Sequence, residues 1–211
     1  MSVYMTEAEQ IEWLKKGWVR YQTWIISGLC VVLLLMSGVK YWHHYHDKRM
    51  QQASVAYSRM LLAESQHLTQ KTQVYAEQLI AEDSGTVYSD VARLMLASIF
   101  TQQKKYDQAR NMLEFISIHS TRHALVDLSK IRLARIWMAT QQYTKSLAVL
   151  QGMKNSPYSG LVNVTKGDLY VAMGNKLKAM KSYQLAHAYM AKDGVTHVFL
   201  DMKLEQLKEE G

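Results

Sequence analysis

Cysteine occurs once in this chain, at Cys30, and proline once, at Pro157. A lone cysteine excludes an internal disulfide and a cysteine-built metal site. One proline and ten glycines in a chain that is 48% hydrophobic leave too little turn punctuation for a strand-rich domain, so the fold expected is all-α, helices joined by short turns. No glycine-rich phosphate loop follows a strand, and there is no cysteine pair, no His-Glu-x-x-His and no nucleophile elbow. No catalytic residue, cofactor or metal is therefore expected, and the chain is read as a non-enzyme. The net charge is +7, yet the cations are interspersed with acids along the sequence. The nearest approaches to a basic patch, Lys130, Arg132 and Arg135 with Lys176, Lys178 and Lys181 further on, read as solvated helix faces, so nucleic acid is not an expected partner.

What the sequence does contain is one long apolar run. From Tyr21 to Val39 about 19 residues carry no formal charge, and as a helix they cover roughly 28 Å, close to the hydrocarbon thickness of a bilayer. Trp18, Tyr21 and Trp24 stand at one end and Tyr41 and Trp42 at the other, where amphipathic rings settle at the headgroup level. A transmembrane helix over residues 21–42 is expected, kept as an anchor because no small-x-small cleavage site precedes the aromatic exit. Lys15, Lys16 and Arg20 before the run balance Lys40, Lys48 and Arg49 after it, so charge leaves the orientation open. Residues 1–20 form a short arm. Its Thr6-Glu-Ala-Glu9 has the form of a capping box and introduces a brief amphipathic helix, either a docking element or a helix lying on the membrane surface.

At 211 residues the chain has room for one ordinary domain beside such a segment. That domain contains internal copies. Ala97-Ser-Ile-Phe100, Ala134-Arg-Ile-Trp137 and Gly167-Asp-Leu-Tyr170 stand about 37 and then about 33 residues apart. Ala109, Ser146 and Ala179 follow each at one internal spacing, within Tyr106-Asp-Gln-Ala109-Arg-Asn-Met-Leu113, Tyr143-Thr-Lys-Ser146-Leu-Ala-Val-Leu150 and Lys176-Leu-Lys-Ala179-Met-Lys-Ser-Tyr183. The spacing resembles the tetratricopeptide repeat, in which small residues let paired helices approach and an aromatic one turn on fills the gap. Gln102-Gln-Lys-Lys105, Gln141-Gln142 and Met173-Gly174-Asn175 mark the turns inside the pairs, and Pro157 with Gly160 breaks the chain between the second and third. The copies are degenerate: Arg93, Lys130 and Asn163 stand where a bulky aromatic is usual, and Lys176 replaces the tyrosine of the other two copies. The expected layout is leading helices in residues 43–88, at Met50–Gln66 and Lys71–Glu82 and without a clear signature, three repeats in 89–194, and a capping helix in 195–211.

In such an array the first helix of each pair lines a groove. Mapping the repeat places Leu94, Thr101, Gln102, Ile131, Arg135, Met138, Val164, Asp168 and Val171 on it, a mostly apolar surface for an extended or helical partner segment. His43 and His46 would share a helix face, but as interfacial side chains they do not build a metal site.

Taken in order, Tyr4, the acidic stretch Glu7-Ala-Glu9-Gln-Ile-Glu12, Trp13-Leu14-Lys15-Lys16, one span, the exit Gly38-Val-Lys-Tyr41-Trp42 and a degenerate repeat tail resemble the YfgM family, ancillary subunits of the bacterial Sec translocon. The resemblance implies a single-pass inner-membrane protein with a cytoplasmic N-terminus and a periplasmic repeat domain. It further implies association with the SecYEG translocon and with a PpiD-type periplasmic chaperone, transfer of emerging secretory proteins, and a link to envelope stress. Two functions follow as expectations: a non-enzymatic adaptor of the translocon, or a tethered module that holds a stress-response signalling protein.

Overall fold

The computed structural model of the chain describes residues 7–192 and 198–209, and in residues 7–49 it describes the backbone with part of the side chains. Nine helices are described: α1 Glu7–Ser65, α2 Thr69–Glu82, α3 Val87–Gln102, α4 Tyr106–His119, α5 His123–Ala139, α6 Tyr143–Gln151, α7 Ser159–Ala172, α8 Lys176–Lys192 and α9 Val198–Glu209. The chain divides into two compact units, Met1–Gln51 and Gln52–Gly211.

The first unit is the beginning of α1. Three pieces expected separately, the arm helix, the apolar run and the helix at Met50–Gln66, belong to one helix, and no proline interrupts it. The capping-box residue Thr6 lies outside the described residues. Among the described residues no helix is long and apolar enough to cross a membrane. The run read from the sequence also includes Ile25, Leu29, Cys30 and Val31, whose side chains lie outside those described. The apolar side chains that are described, Ile26, Val32, Leu33, Leu34, Leu35 and Met36, are 51–72% exposed.

In the second unit, helices pack on their sequence neighbours from α2 to α9, and α3 also touches α5, and α5 touches α7. That is a row of helical hairpins whose first helices line up beside one another. The turns show why. Lys104, Gln141 and Gly174 take left-handed backbone angles at the same place in three successive pairs. Around them the amides of Lys105, Gln142 and Asn175 donate to the carbonyls of Phe100, Trp137 and Tyr170, each at 2.8 Å, satisfying carbonyls that a helix end would leave orphaned.

The leading pair obeys the same rule. His67 is left-handed, and the Leu68 amide donates to the Ala63 carbonyl at 2.9 Å, so the end of α1 and α2 form a fourth hairpin in register with the other three. Its Met60, Thr72 and Ala76 occupy the positions of Ala97, Ala109 and Leu113, and all three are fully buried. The pair without a recognisable signature is thus a repeat.

Within each of the three later pairs, one small residue faces one large residue sixteen positions on. Ala97 and Leu113 share one buried cluster, and Ala134 and Leu150 share another. In the last pair the large residue is Tyr183, and a Cβ added at Gly167 would overlap its ring, with Cζ at 2.8 Å. Only glycine leaves room for the tyrosine.

Pairs are also tied by a recurring polar contact. The Ser120 hydroxyl donates to buried Asp90 at 2.7 Å and Ser156 donates to Asp127 at 2.6 Å, while each serine oxygen accepts from the amide two residues on. Asp90 also pairs with Arg122 at 3.3 Å and with Arg93 at 3.7 Å. Arg93 occupies the place of the usual aromatic, buried, with its guanidinium 4.0 Å above the Phe115 ring. Burial pulls its pKa below the ordinary arginine range, and Asp90 opposes that shift.

Candidate functional site

The first helices of the pairs put the residues expected on the groove into three different environments. Leu94 and Ile131 are buried and offer no surface. The cause is the direct approach of α3 to α5, which carries the Arg132 guanidinium onto the Leu94 carbonyl, donated at 2.9 Å. Val164 and Met138 are half-buried and pack against the clusters at their own pairs.

Thr101, Gln102 and Arg135 do converge. They line a cavity of about 340 Å³ between α3 and α5, together with Ser98 and Arg132 and an apolar wall that includes Leu113 and Ile136. The Thr101 hydroxyl donates to the Ala97 carbonyl at 2.6 Å, so its oxygen faces its surroundings as an acceptor. Arg132 was read from the sequence as a solvated cation; it is half-buried, and burial, then repulsion from Arg135, lowers its pKa. Nothing in its spacing alone could reveal this, because it sits at the border between the buried and exposed stripes of α5.

Asp168 and Val171 line a second cavity of about 270 Å³, with Tyr183 of α8 and Lys203 of α9. Asp168 accepts from the Tyr183 hydroxyl at 2.7 Å and is ion-paired with Lys203, whose ammonium lies 4.8 Å from the Phe199 ring centre. The expected capping helix therefore does more than cover an apolar end: Leu200 and Leu207 are buried against the last pair, and Lys203 takes up a carboxylate of the groove face. Burial first, then the bond to and charge of Asp168, push the Tyr183 phenol above the ordinary range.

Of the remaining cations, Lys178 and Lys181 are exposed, as read from the sequence, but the Lys176 ammonium is buried without a hydrogen-bond partner among the described residues. Of the aromatic residues flanking the apolar run, Trp18, Trp24 and Tyr41 are exposed, and the side chains of Tyr21 and Trp42 lie outside the described residues, as do those of His43 and His46. Among the described residues no three metal-ligating side chains cluster.

Comparison with known proteins agrees with the hairpin array. Residues 15–209 match the model of the tetratricopeptide repeat-like domain family, and the chain belongs to that family. It is similar to proteins named ancillary SecYEG translocon subunit. The one from Neisseria gonorrhoeae is 23% identical, over 99% of this chain and 100% of the relative. Those from Haemophilus influenzae and Escherichia coli are 25% and 23% identical, over 88% and 87% of this chain and 91% and 88% of theirs. These relatives meet the likeness read from the order of parts in the sequence. No solved structure matches the chain.

Proposed function

We propose that this protein is a non-enzymatic, membrane-anchored adaptor of the Sec translocon. The observation that carries the reading is the full-length likeness to ancillary translocon subunits, from the arm through the last helix. In this reading residues 1–20 are a cytoplasmic arm, 21–42 cross the inner membrane, 43–88 lead into the repeats of 89–194, and 195–211 cap them in the periplasm. Six exposed apolar side chains on one helix, Ile26 and the run Val32 to Met36, support the crossing, because fully burying one such side chain stabilises by roughly 1.5–3 kcal/mol and a bilayer supplies that burial. The aromatic residues Trp18, Tyr21, Trp24, Tyr41 and Trp42 anchor the crossing at its two interfaces. The repeat unit holds a PpiD-type chaperone or an emerging secretory protein on the face made by α3, α5 and α7.

Purification of the tagged chain from its native membrane in mild detergent tests this. Recovery of SecYEG subunits with a periplasmic chaperone is expected. Recovery of a signalling protein without any translocon subunit would replace the adaptor by a regulatory tether. Protease added to spheroplasts should digest the repeats and spare the arm; the reverse pattern would invert the topology.

A further inference from the structure

Helix α9 stands where a further pair begins. Its Lys203 reaches Asp168 of α7, as Arg132 of α5 reaches the Leu94 carbonyl of α3, so α9 takes the place of a first helix. The helices α3, α5 and α7 each pack on the second helix that follows them; among the described residues none follows α9. A helix that closes such an array keeps a polar outer face. On α9 the face opposite buried Leu200 and Leu207 carries Val198 and Met202 instead, 66% and 59% exposed, with exposed Phe199 at its border.

The neighbouring helix carries the complement of that face. His187 of α8 lies 3.5 Å from Asp201, and the Lys203 ammonium lies 5.4 Å from the Tyr183 ring centre, so the two helices run antiparallel and their levels are fixed. On α8 the exposed residues Leu177, Lys181, Gln184, Ala188 and Ala191 form one stripe at helical spacing, apart from buried Ala179, Ser182 and Ala186. Ala188 and Ala191 stand at about the level of Val198 and Met202, and Lys181 at about that of exposed Glu205. Small residues thus lie level with large ones, and a cation with an acid.

We propose that this face pairs with the same face of a second copy of the chain, about a two-fold axis running along the helices. Each α9 then lies against the α8 of the other copy, Val198 and Met202 pack over Ala188 and Ala191, and Glu205 meets Lys181 twice. Such a contact is isologous and closes on itself as a dimer. Leu177, Val198, Phe199 and Met202 leave roughly 500 Å² exposed per copy, so pairing removes on the order of 1,000 Å² from water, the size a specific interface needs. Glu205 and Glu209 continue the stripe of Val198 and Met202, which disfavours an anionic lipid surface as the occupant. Because both halves of the complement stand on one hairpin, the second copy is the occupant that fits. The pairing stands apart from the adaptor reading and does not depend on it.

Benzoylphenylalanine placed at Met202 of the full chain and irradiated in its native membrane reads the occupant directly. With two differently tagged versions expressed together, a product of twice the chain's 24.3 kDa carrying both tags is expected. The purified chain in phosphatidylcholine vesicles, at falling protein-to-lipid ratio, then gives the density at which half of it cross-links. Lys181→Glu alone and Glu205→Lys alone should each raise that density about fivefold, because each turns two attractive pairs into repulsive ones. The two changes in one chain exchange the charges and restore the attraction, so the double variant should return to within about twofold of the parent, a recovery that a general loss of fold does not give. An adduct with a different protein, an adduct with lipid alone, or no adduct would overturn the pairing. Single reversals without effect, or a double variant no better than either, would refute the arrangement of α9 on the other copy's α8.

Discussion

The close fit of Gly167 against Tyr183 permits a worked prediction. A methyl group at position 167 overlaps the tyrosine ring, and the ring is only 2% exposed, with its hydroxyl held by Asp168. It has nowhere to move without losing packing or the bond. Overpacking of this kind costs about 1–3 kcal/mol. Displacing the phenol from a charged acceptor costs about 1–2 kcal/mol more, at the low end because Asp168 is half-buried and keeps Lys203. Against this, alanine in a helix is better than glycine by about 1 kcal/mol. Gly167→Ala should therefore destabilise the repeat unit by about 2 kcal/mol. Tyr183→Leu alone should cost a similar amount, about 2 kcal/mol, by leaving a void beside glycine. Made together, the two changes recreate the Ala97–Leu113 and Ala134–Leu150 pairs of the earlier hairpins. The double variant should then lose about 1 kcal/mol in place of the roughly 4 that additivity requires. Urea unfolding of the detergent-solubilised chain, followed by far-ultraviolet circular dichroism, measures all three midpoints. Effects that add to within about 0.5 kcal/mol would show that the two residues do not constrain each other, and the account of the last hairpin would fail.

Two further outcomes are expected. Lys176→Met should raise the repeat unit's stability by about 1 kcal/mol, because it removes a buried ammonium that lacks a partner; no gain in the unfolding midpoint would mean that the ammonium reaches water. Above pH of about 10 the unfolded chain ionises Tyr183 while the folded chain, with its phenol pKa raised, resists, so this residue's contribution is intact below that pH and falls as pH rises, by at most about 1.4 kcal/mol per pH unit. Tyr183→Phe should flatten that decline, and identical alkaline slopes for the two proteins would contradict the burial and Asp168 argument.

Much of the array was legible because its signals are local. The small residues Ala97, Ala109, Ala134, Ser146, Gly167 and Ala179 are all buried, as the spacing predicts, and the turns fall where the sequence places them. The polar ties are a different matter. Ser120 and Asp90, or Ser156 and Asp127, are about thirty residues apart, and no helical period connects a serine in one turn to the start of the helix a hairpin earlier. The groove failed in part for a related reason. Generic repeat geometry puts Leu94 and Ile131 on the open face, but the closeness of two neighbouring first helices is set by side chains such as Arg132 that reach across, so the same position is covered in these two hairpins.

The leading hairpin shows what a position-by-position reading of such repeats misses. Its turn at His67 lies at the same offset from Met60 as Lys104 from Ala97, Gln141 from Ala134 and Gly174 from Gly167. Yet Met60 is large where the others are small, and Ala76 is small where the others are large. Close packing constrains the space the two side chains fill together at the helix crossing, not the size of either one. Methionine with alanine, alanine with leucine and glycine with tyrosine are three ways of filling that space. A search for a small residue at the first position rejects Met60, although both members of its pair are fully buried in the same cluster as Ala97 and Leu113. The feature retained across the four hairpins is the complementarity of the two positions together with the left-handed turn between them.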